Sequence, residues 1–375
     1  MRTRNWILTA ITLLLLLFYH SLLQIYYTHQ IRNISAGGRK STKNGGDNTG
    51  FAYVFYVTAD LYACSALVNI HRLRALNSTV PIHVLASEYL SIPYMDALQD
   101  ADVTVHIEET PHPSLLLGGY YEDCLLKLLA FKMHRLDPSL KRVLLLDSDQ
   151  LILKHFDSLF SDLPTVDLAA PRAYWLSQEQ AAFSSAFMLI TLSDRLWGIV
   201  NKTIPIDGSD AKDPVRADMD ILNDELGGTA MILSGEYVTL NSHWEDWKTP
   251  NWFHAEDLPH LNRTVSDAVP NIPDLVDGAT VEPQPDFRAG DEGQVHMARL
   301  DPDPRYPEDS EIFQQLLQLY EYTSIVHFSA LAKPWSYSTR EVMDMRQEAH
   351  PLFALQFGMW RKVARQVCPE DWSVK

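Results

Sequence analysis

Apolar and β-branched residues alternate along the chain with segments of helical spacing. The segment FAYVFYVT, residues 51–58, is typical of a buried strand, and residues 60–76 carry apolar side chains at helical spacing. The same pattern predicts strands at 82–86, 103–107, 142–146, 168–171, 186–191 and 229–233, and helices at 93–100, 121–136, 192–201 and 217–226. This alternation predicts an α/β fold with a doubly wound, mostly parallel sheet flanked by helices.

The pattern weakens in the last third of the chain. Residues 252–307 are rich in proline and aspartate and show little periodicity, which predicts an acidic insertion or loop. A helix at 310–322 and a strand at 324–328 follow. We therefore place one folded domain at 51–345 and assign 346–375 to a C-terminal tail without a predicted element.

The N-terminal segment differs from the rest in its hydropathy. Residues 7–27 form an apolar run long enough to span a bilayer, preceded by Arg2 and Arg4 in a short cytosolic tail, 1–6. Residues 28–50 have the polar composition of a flexible stem. A cleaved signal peptide is the alternative, but no small-x-small cleavage site follows the run. We expect a type II signal anchor with a luminal domain.

The net charge, the N-glycosylation sequons and the cysteines indicate which partners and which compartment suit the chain. A formal net charge of -17 argues against a nucleic-acid partner, which needs a basic surface. Sequons for N-glycosylation favour the lumen, and they begin at Asn33, Asn77, Asn201 and Asn262. The cysteines are Cys64, Cys124 and Cys368. An oxidising lumen permits at most one internal disulfide among them, with the pairing left open.

Two polar clusters follow apolar strands and suggest the chemistry. Asp147 and Asp149 come directly after the strand at 142–146, where a carboxylate pair can chelate a divalent ion that bridges phosphate oxygens. An isolated Asp-x-Asp is more often a solvated turn. The segment HFSALAKPW begins with His327, which can ligate manganese, and contains Lys333, which can pair with a phosphate. Each residue alone is more often structural, so the joint pattern carries the interpretation.

These motifs resemble those of the glycogenin-like family of retaining glycosyltransferases, family eight. HFSALAKPW matches the family's His-x-x-Gly-x-x-Lys-Pro-Trp, with Ala330 in place of glycine. The resemblance implies a GT-A type, Rossmann-like fold. It also implies that Asp147, Asp149 and His327 bind Mn²⁺ (or Mg²⁺). Lys333 and the amide of Ala330 would then hold the diphosphate of a UDP-sugar donor.

Further motifs extend the resemblance over about 51–337. TADLY at 58–62 resembles the family's Thr-x-Asp-x-Tyr, which implies that Thr58, Asp60 and Tyr62 contact the base. Ser148 joins this donor-binding set. Lys127, in CLLKLLAF, matches a lysine that reaches the donor sugar and phosphate. The resemblance thus supplies residues for each part of a nucleotide sugar.

The motif ADMDILN, residues 217–223, resembles the family's Gly-Asp-Gln-x-x-x-Asn. The resemblance therefore implies that Asp218 is the catalytic carboxylate beside the anomeric carbon. It also implies that Lys127 is a catalytic residue. Met219 replaces the family's glutamine, and Ser184-Ser185 stands where the family has Asn-Ser-Gly. These departures leave the identity of the donor sugar open.

The resemblance implies a metal-dependent retaining transferase that moves a sugar from a UDP-sugar to a glycan. A closer resemblance to fungal Golgi N-acetylglucosaminyltransferases favours N-acetylglucosamine and a mannose-rich acceptor in the Golgi; UDP-glucose and UDP-galactose remain open. The choice between double displacement and front-face attack also remains open. So does the question of whether the protein forms a homodimer. A hydrolase is disfavoured because Asp147 and Asp149 lie too close to flank a sugar. The alternative of another class is a non-catalytic membrane protein that binds a nucleotide sugar or a glycan.

Overall fold

The computed structural model describes residues 50–111, 123–176, 181–204, 217–255, 263–269, 272–276, 307–369 and 372. The predicted anchor at 7–27, residues 28–49 of the stem, Asn33 and Asn262 lie outside the described residues, as does most of the insertion at 252–307. No helix within the described part of the chain is long and apolar enough to cross a bilayer.

Within the described residues, seven strands form one large sheet. In chain order they are β1 (Phe51–Val57), β2 (Ile82–Ser87), β3 (Thr104–Glu108), β4 (Arg142–Leu146), β6 (Leu168–Pro171), β7 (Phe187–Thr191) and β8 (Met231–Leu233). Their spatial order is β3-β2-β1-β4-β7-β6-β8. Strand β7 pairs antiparallel with β4 and β6, and the remaining neighbours pair parallel. The mostly parallel sheet predicted from the sequence is confirmed.

A second, small sheet consists of β5 (Gln150–Ile152), β9 (Thr239–Leu240) and β10 (Ile325–His327). The sequence pattern predicted only the last of these strands, because the other two are too short to show a period. Strand β10 pairs antiparallel with β5, and its residue His327 lies opposite Gln150. Since Gln150 directly follows Asp149, this pairing brings the segments that carry His327 and Asp149 together.

The described helices are α1 (Asp60–Ala75), α2 (Ile92–Asp100), α3 (Met133–Leu136), α4 (Leu159–Asp162), α5 (Asp194–Asn201), α6 (Asp218–Leu226), α7 (Ser242–Glu245), α8 (Val265–Ala268), α9 (Glu311–Tyr322), α10 (Thr339–Met345) and α11 (Pro351–Val367). The helix predicted at 121–136 is mostly a 3₁₀ helix, Asp123–Lys132, that continues into α3. Side chains three residues apart eclipse in a 3₁₀ helix. This geometry places Cys124 and Lys127 on one edge, and both line the cavity described below.

The sheet has an apolar layer on each face. Alternate residues of β1 point to opposite sides, with Tyr53 and Phe55 in one core cluster and Val54 in the other. The first cluster also contains the buried apolar face of α11, a helix in the region that we treated as a tail. Its residue Trp360 is fully buried and donates from Nε1 to Ser65 Oγ at 2.9 Å. Packing of this kind makes the last helix part of the domain core.

A disulfide joins Cys64 in α1 to Cys368, the residue after α11, across 304 positions of sequence. It closes the pairing that the sequence left open, and Cys124 takes no part in a disulfide. The bond and the Trp360 contact fasten the end of the chain to the helix that follows β1.

Candidate active site

The site lies where the strand order reverses. From β1 the chain winds outward through β2 and β3, whereas β4 lies on the other side of β1, so the carboxyl ends of β1 and β4 flank a crevice. A cavity of about 480 Å³ opens there, within the range of about 300–1,000 Å³ for small-molecule sites. The predicted residues that line it are Thr58, Tyr62, Lys127, Asp147, Asp149, Asp218, His327 and Lys333.

The three predicted metal ligands are brought together. One ligand atom each from Asp147, Asp149 and His327 all lie within 4.8 Å of one another. His327 Nδ1 is buried, lies 3.7 Å from Asp149 Oδ1 and has no hydrogen-bond partner within the described residues. An imidazole nitrogen left unsatisfied beside two carboxylates fits a divalent cation that accepts nitrogen and oxygen ligands, such as Mn²⁺.

The electrostatics of this trio suit metal binding. Burial raises the pKa of the Asp147 carboxyl to about 6. The negative charges of Asp149 and Asp218 also raise this pKa, whereas the positive charge of Lys127 lowers it. Burial also acts to raise the pKa of Asp149, but His327 and Lys333 outweigh it, and the net pKa is lowered. Burial lowers the pKa of His327, which keeps the ring neutral with a lone pair for a metal near pH 7.

A buried ion-pair cluster forms the other side of the cavity. Lys127 Nζ lies 2.7 Å from Asp147 Oδ1 and 2.7 Å from Asp218 Oδ2, and it donates to Ser185 Oγ at 3.3 Å. The ammonium also lies 5.2 Å from the centre of the Tyr56 ring. Lys127 is only 2% exposed, yet its pKa is raised because the two carboxylates outweigh burial. It therefore stays charged and holds both carboxylates in place.

Asp218 is poised as an ionised carboxylate. It begins helix α6 and is 6% exposed. Burial acts to raise its pKa, but the charge of Lys127 and hydrogen bonds from Lys127 and Ser185 outweigh burial, and the net pKa is lowered. A fixed negative charge in a buried site can stabilise a developing positive charge or act as a nucleophile.

Lys333 faces the metal trio from a loop. Its Nζ contacts Asp149 Oδ2 at 2.5 Å and donates to the carbonyl of Phe328 at 3.1 Å. Its side chain is 25% exposed, far more than that of Lys127. A lysine at this position can exchange its carboxylate partner for a phosphate oxygen, as the resemblance implies.

Asn241 holds the loop between His327 and Lys333. Its Oδ1 accepts from the backbone amides of Ser329 and Ala330 at 2.8 Å each, and its backbone N–H donates to the carbonyl of His327 at 3.0 Å. The Ala330 amide, which the resemblance assigns to the diphosphate, is thus engaged by a side chain in this structure. Asn241 carried no motif in the sequence and was missed.

Two residues of the predicted donor set lie in structural roles. Asp60 is not among the lining residues, and its Oδ1 accepts from the Ser91 amide at 2.9 Å. Ser148 is 2% exposed and donates to the carbonyl of Tyr56 at 2.8 Å, which ties the end of β4 to β1. Tyr62 does line the cavity, with its ring edge-to-face on Trp335 at 5.1 Å.

Further lining residues escaped the sequence analysis. They are Tyr56, Cys124, Trp175 and Ala186. Tyr56 could have been found from its position two residues before Thr58 in the segment FAYVFYVT, whereas Trp175 gave no periodic signal. Burial raises the pKa of the Cys124 thiol to about 12, and Asp218 acts in the same direction, so this thiol is a poor nucleophile.

Comparison with known proteins found two fungal relatives. Glucose N-acetyltransferase 1 of Gibberella zeae is 29% identical over 279 residues, which cover 64% of this chain and 59% of the relative. The protein of the same name from Aspergillus fumigatus is 25% identical over 250 residues, 62% of each chain. The chain therefore spans about three fifths of the length of these relatives. No family model matches the sequence.

Solved structures with a similar course of the chain are glycosyltransferases by name. The galactosyltransferase LgtC, bound to donor and acceptor sugar analogues, is 14% identical with a TM-score of 0.45, covering 86% of this chain and 98% of that chain. GlyE of Streptococcus pneumoniae is 18% identical with a TM-score of 0.45, covering 82% and 62%. The bifunctional WbbM is 12% identical with a TM-score of 0.46, covering 81% and 50%.

Proposed function

We propose that this protein is a metal-dependent glycosyltransferase that moves a sugar from a UDP-sugar to a glycan and retains the anomeric configuration of the donor. One observation carries the proposal: a metal-ligand trio and a buried lysine–carboxylate cluster face the same cavity at the topological switch point. The metal-ligand trio would bind the diphosphate of a nucleotide sugar through a metal ion, and the lysine–carboxylate cluster would contact the sugar. The two fungal relatives are transferases by name, which supports group transfer as the general type of reaction.

The residues divide the reaction between them. Asp147, Asp149 and His327 would hold Mn²⁺ (or Mg²⁺), which when bound supplies positive charge against the departing diphosphate. Lys333 adds a second cation from its loop, so the leaving group needs no proton. Asp218 lies where the donor sugar would approach Lys127. It would stabilise the anomeric carbon as positive charge builds there, or attack it in a double displacement.

The donor is best assigned as UDP-N-acetylglucosamine and the acceptor as a mannose-rich glycan. The motifs FAYVFYVT, VLLLDSD and ADMDILN support this choice through their resemblance to fungal Golgi N-acetylglucosaminyltransferases. UDP-glucose and UDP-galactose are the competing donors. Taken literally, the name of the relatives denotes transfer of an acetyl group to glucose. The metal trio favours glycosyl transfer, since a diphosphate leaving group gives the cation a partner.

The test is mass spectrometry of the acceptor. The full-length chain in detergent is incubated with manganese, a mannose oligosaccharide and each UDP-sugar in turn, and with acetyl-coenzyme A in a separate reaction. We expect the acceptor to gain the mass of one N-acetylhexosamine from UDP-N-acetylglucosamine. Gain of an acetyl group instead would refute the proposal. Manganese-dependent UDP binding without any product would favour the non-catalytic alternative.

The proposed location is the Golgi membrane, with residues 7–27 as a type II anchor. The Cys64–Cys368 disulfide supports an oxidising compartment. Asn77 and Asn201, the two described sequon asparagines, are both exposed, as glycosylation requires. N-glycosidase treatment of the chain from a eukaryotic host should lower its apparent mass, with a smaller shift in N77Q and N201Q. An unshifted wild-type chain would contradict luminal residence.

A further inference from the structure

Trp175 is an exposed aromatic residue in the wall of the cavity. It lines the same cavity as the metal trio and Asp218, and 37% of its surface is exposed. Leaving an indole of this size in water forfeits the stabilisation that its burial would give. The side chain therefore offers an apolar face to whatever enters the cavity.

The residue before it fixes its position. Tyr174 accepts from the Leu240 amide at 3.0 Å through its hydroxyl, which also lies 3.0 Å from His243 Nε2. The rings of Tyr174 and Trp175 meet edge-to-face at 5.2 Å and 78°. Trp175 thus packs against an anchored neighbour in the turn that follows β6. A side chain held in this way loses little entropy when a ligand stacks on it.

The rest of the cavity already has partners for a nucleotide sugar. The metal trio and Lys333 suit the diphosphate, Lys127 and Asp218 suit the donor sugar, and Thr58 and Tyr62 lie where the resemblance places the base. Met219 follows Asp218 in α6 and lines the cavity with its apolar side chain. Trp175 and Met219 have the largest side chains among the apolar lining residues that this division leaves without a charged or donor group to contact; Ala186 and Ala217 are the small ones.

We propose that Trp175 is the stacking platform for the pyranose ring of the acceptor sugar. This inference rests on the proposed function and adds the acceptor's place in the site. A pyranose has a polar rim of hydroxyls and apolar C–H faces, and an indole face contacts such C–H groups well. Met219 adds an adaptable apolar contact one residue from the carboxylate at which transfer occurs.

The test compares the full-length wild type with W175A, using UDP-N-acetylglucosamine, manganese and a mannose oligosaccharide. We expect the KM for the oligosaccharide to rise about tenfold, while the donor KM changes far less. W175F keeps a stacking face and should recover part of the loss. Y89A is the matched control, because Tyr89 is 71% exposed and does not line the cavity. It should leave both KM values unchanged.

An unchanged acceptor KM in W175A would overturn the inference, and a rise confined to the donor KM would assign Trp175 to the donor instead. Binding of the oligosaccharide by saturation-transfer NMR, with UDP and manganese present, tests the platform without turnover. Weaker binding to W175A is the expected result, and equal binding would refute it. Failure of the wild type to transfer any sugar would count against the proposed function alone, since the binding comparison still decides the role of Trp175.

Discussion

The two charged sides of the cavity are built differently. The side that we propose for the sugar, called the sugar side, is formed by Lys127, Asp218 and Ser185; the side chains of Lys127 and Asp218 are 3% and 9% exposed, and their charged atoms lie 2.7 Å apart. On the metal side, His327 Nδ1 has no hydrogen-bond partner within the described residues, and Lys333 reaches in from a loop. The sugar side is a network of paired charges that keeps its side chains in fixed positions. The metal side instead keeps an unpaired ligand atom that can bind an ion. Asp147 belongs to both.

The largest effect is expected from removing a ligand on the metal side. D149A should abolish manganese-dependent UDP binding and lower turnover by about 10³-fold or more, because the trio loses a carboxylate and Lys333 loses its ion pair with Asp149. Titration calorimetry with UDP and manganese measures the binding. D162A is the control, since Asp162 is exposed on α4. Metal-dependent UDP affinity that survives in D149A would show that the trio is not the metal site.

The second prediction concerns how much the Lys127 ion pairs contribute to the free energy of unfolding. K127M should lower the free energy of unfolding by about 3–5 kcal/mol, since it leaves two buried carboxylates without their cation. Thermal unfolding measures the loss, and manganese should restore part of it by neutralising Asp147. K132M is matched on the same 3₁₀ helix, because the Lys132–Glu108 pair is also 2.7 Å long but more exposed. It should cost about 1 kcal/mol or less.

K127M as stable as K132M would contradict the description of the sugar side as a network that needs its lysine. A loss in K127M that manganese leaves unchanged would separate Asp147 from the metal site. The two variants together therefore sharpen the boundary between the two sides.

The sugar side should govern turnover and spare nucleotide binding. D218N keeps the shape of the side chain but removes its charge, so we expect turnover to fall about 10²-fold while UDP affinity stays near the wild-type value. Steady-state kinetics and calorimetry give the two quantities. D220N, an exposed position on the first turn of α6, is the control. Equal losses of UDP affinity in D218N and D149A would erase the distinction between the two sides.

The smallest effect concerns the loop of the metal side. N241A removes the acceptor for the amides of Ser329 and Ala330, and we expect the donor KM to rise about tenfold as the loop loses its fixed position. N241D retains a side-chain oxygen acceptor and should recover most of the loss. A fall in kcat without a change in KM, or failure of N241D to recover, would contradict a positioning role.

The parts of this molecule that were predicted from the sequence share a local origin. Strand β4 is an apolar run that ends at Asp147, and the single segment HFSALAKPW supplies both His327 and Lys333. Periodicity and short motifs are read within a few residues, so these features were visible.

What was missed depends on contacts between distant segments. Asn241 acts on a loop almost ninety residues later in the chain, and the Cys64–Cys368 bond spans 304 positions. Helix α11 packs into a core that no local pattern describes. The 3₁₀ form of Asp123–Lys132 has the same apolar residues as an α-helix, and only the fold decides between the two.

The most direct test of the central claim is release of UDP by the full-length chain from UDP-N-acetylglucosamine, with a mannose oligosaccharide and with either manganese or a chelator. The two-sided site predicts release with manganese, none with the chelator, and loss of release in both D149A and D218N, with UDP affinity kept only in D218N. Release of UDP that persists in the chelator would contradict it, because the trio of Asp147, Asp149 and His327 would then have no part in the reaction.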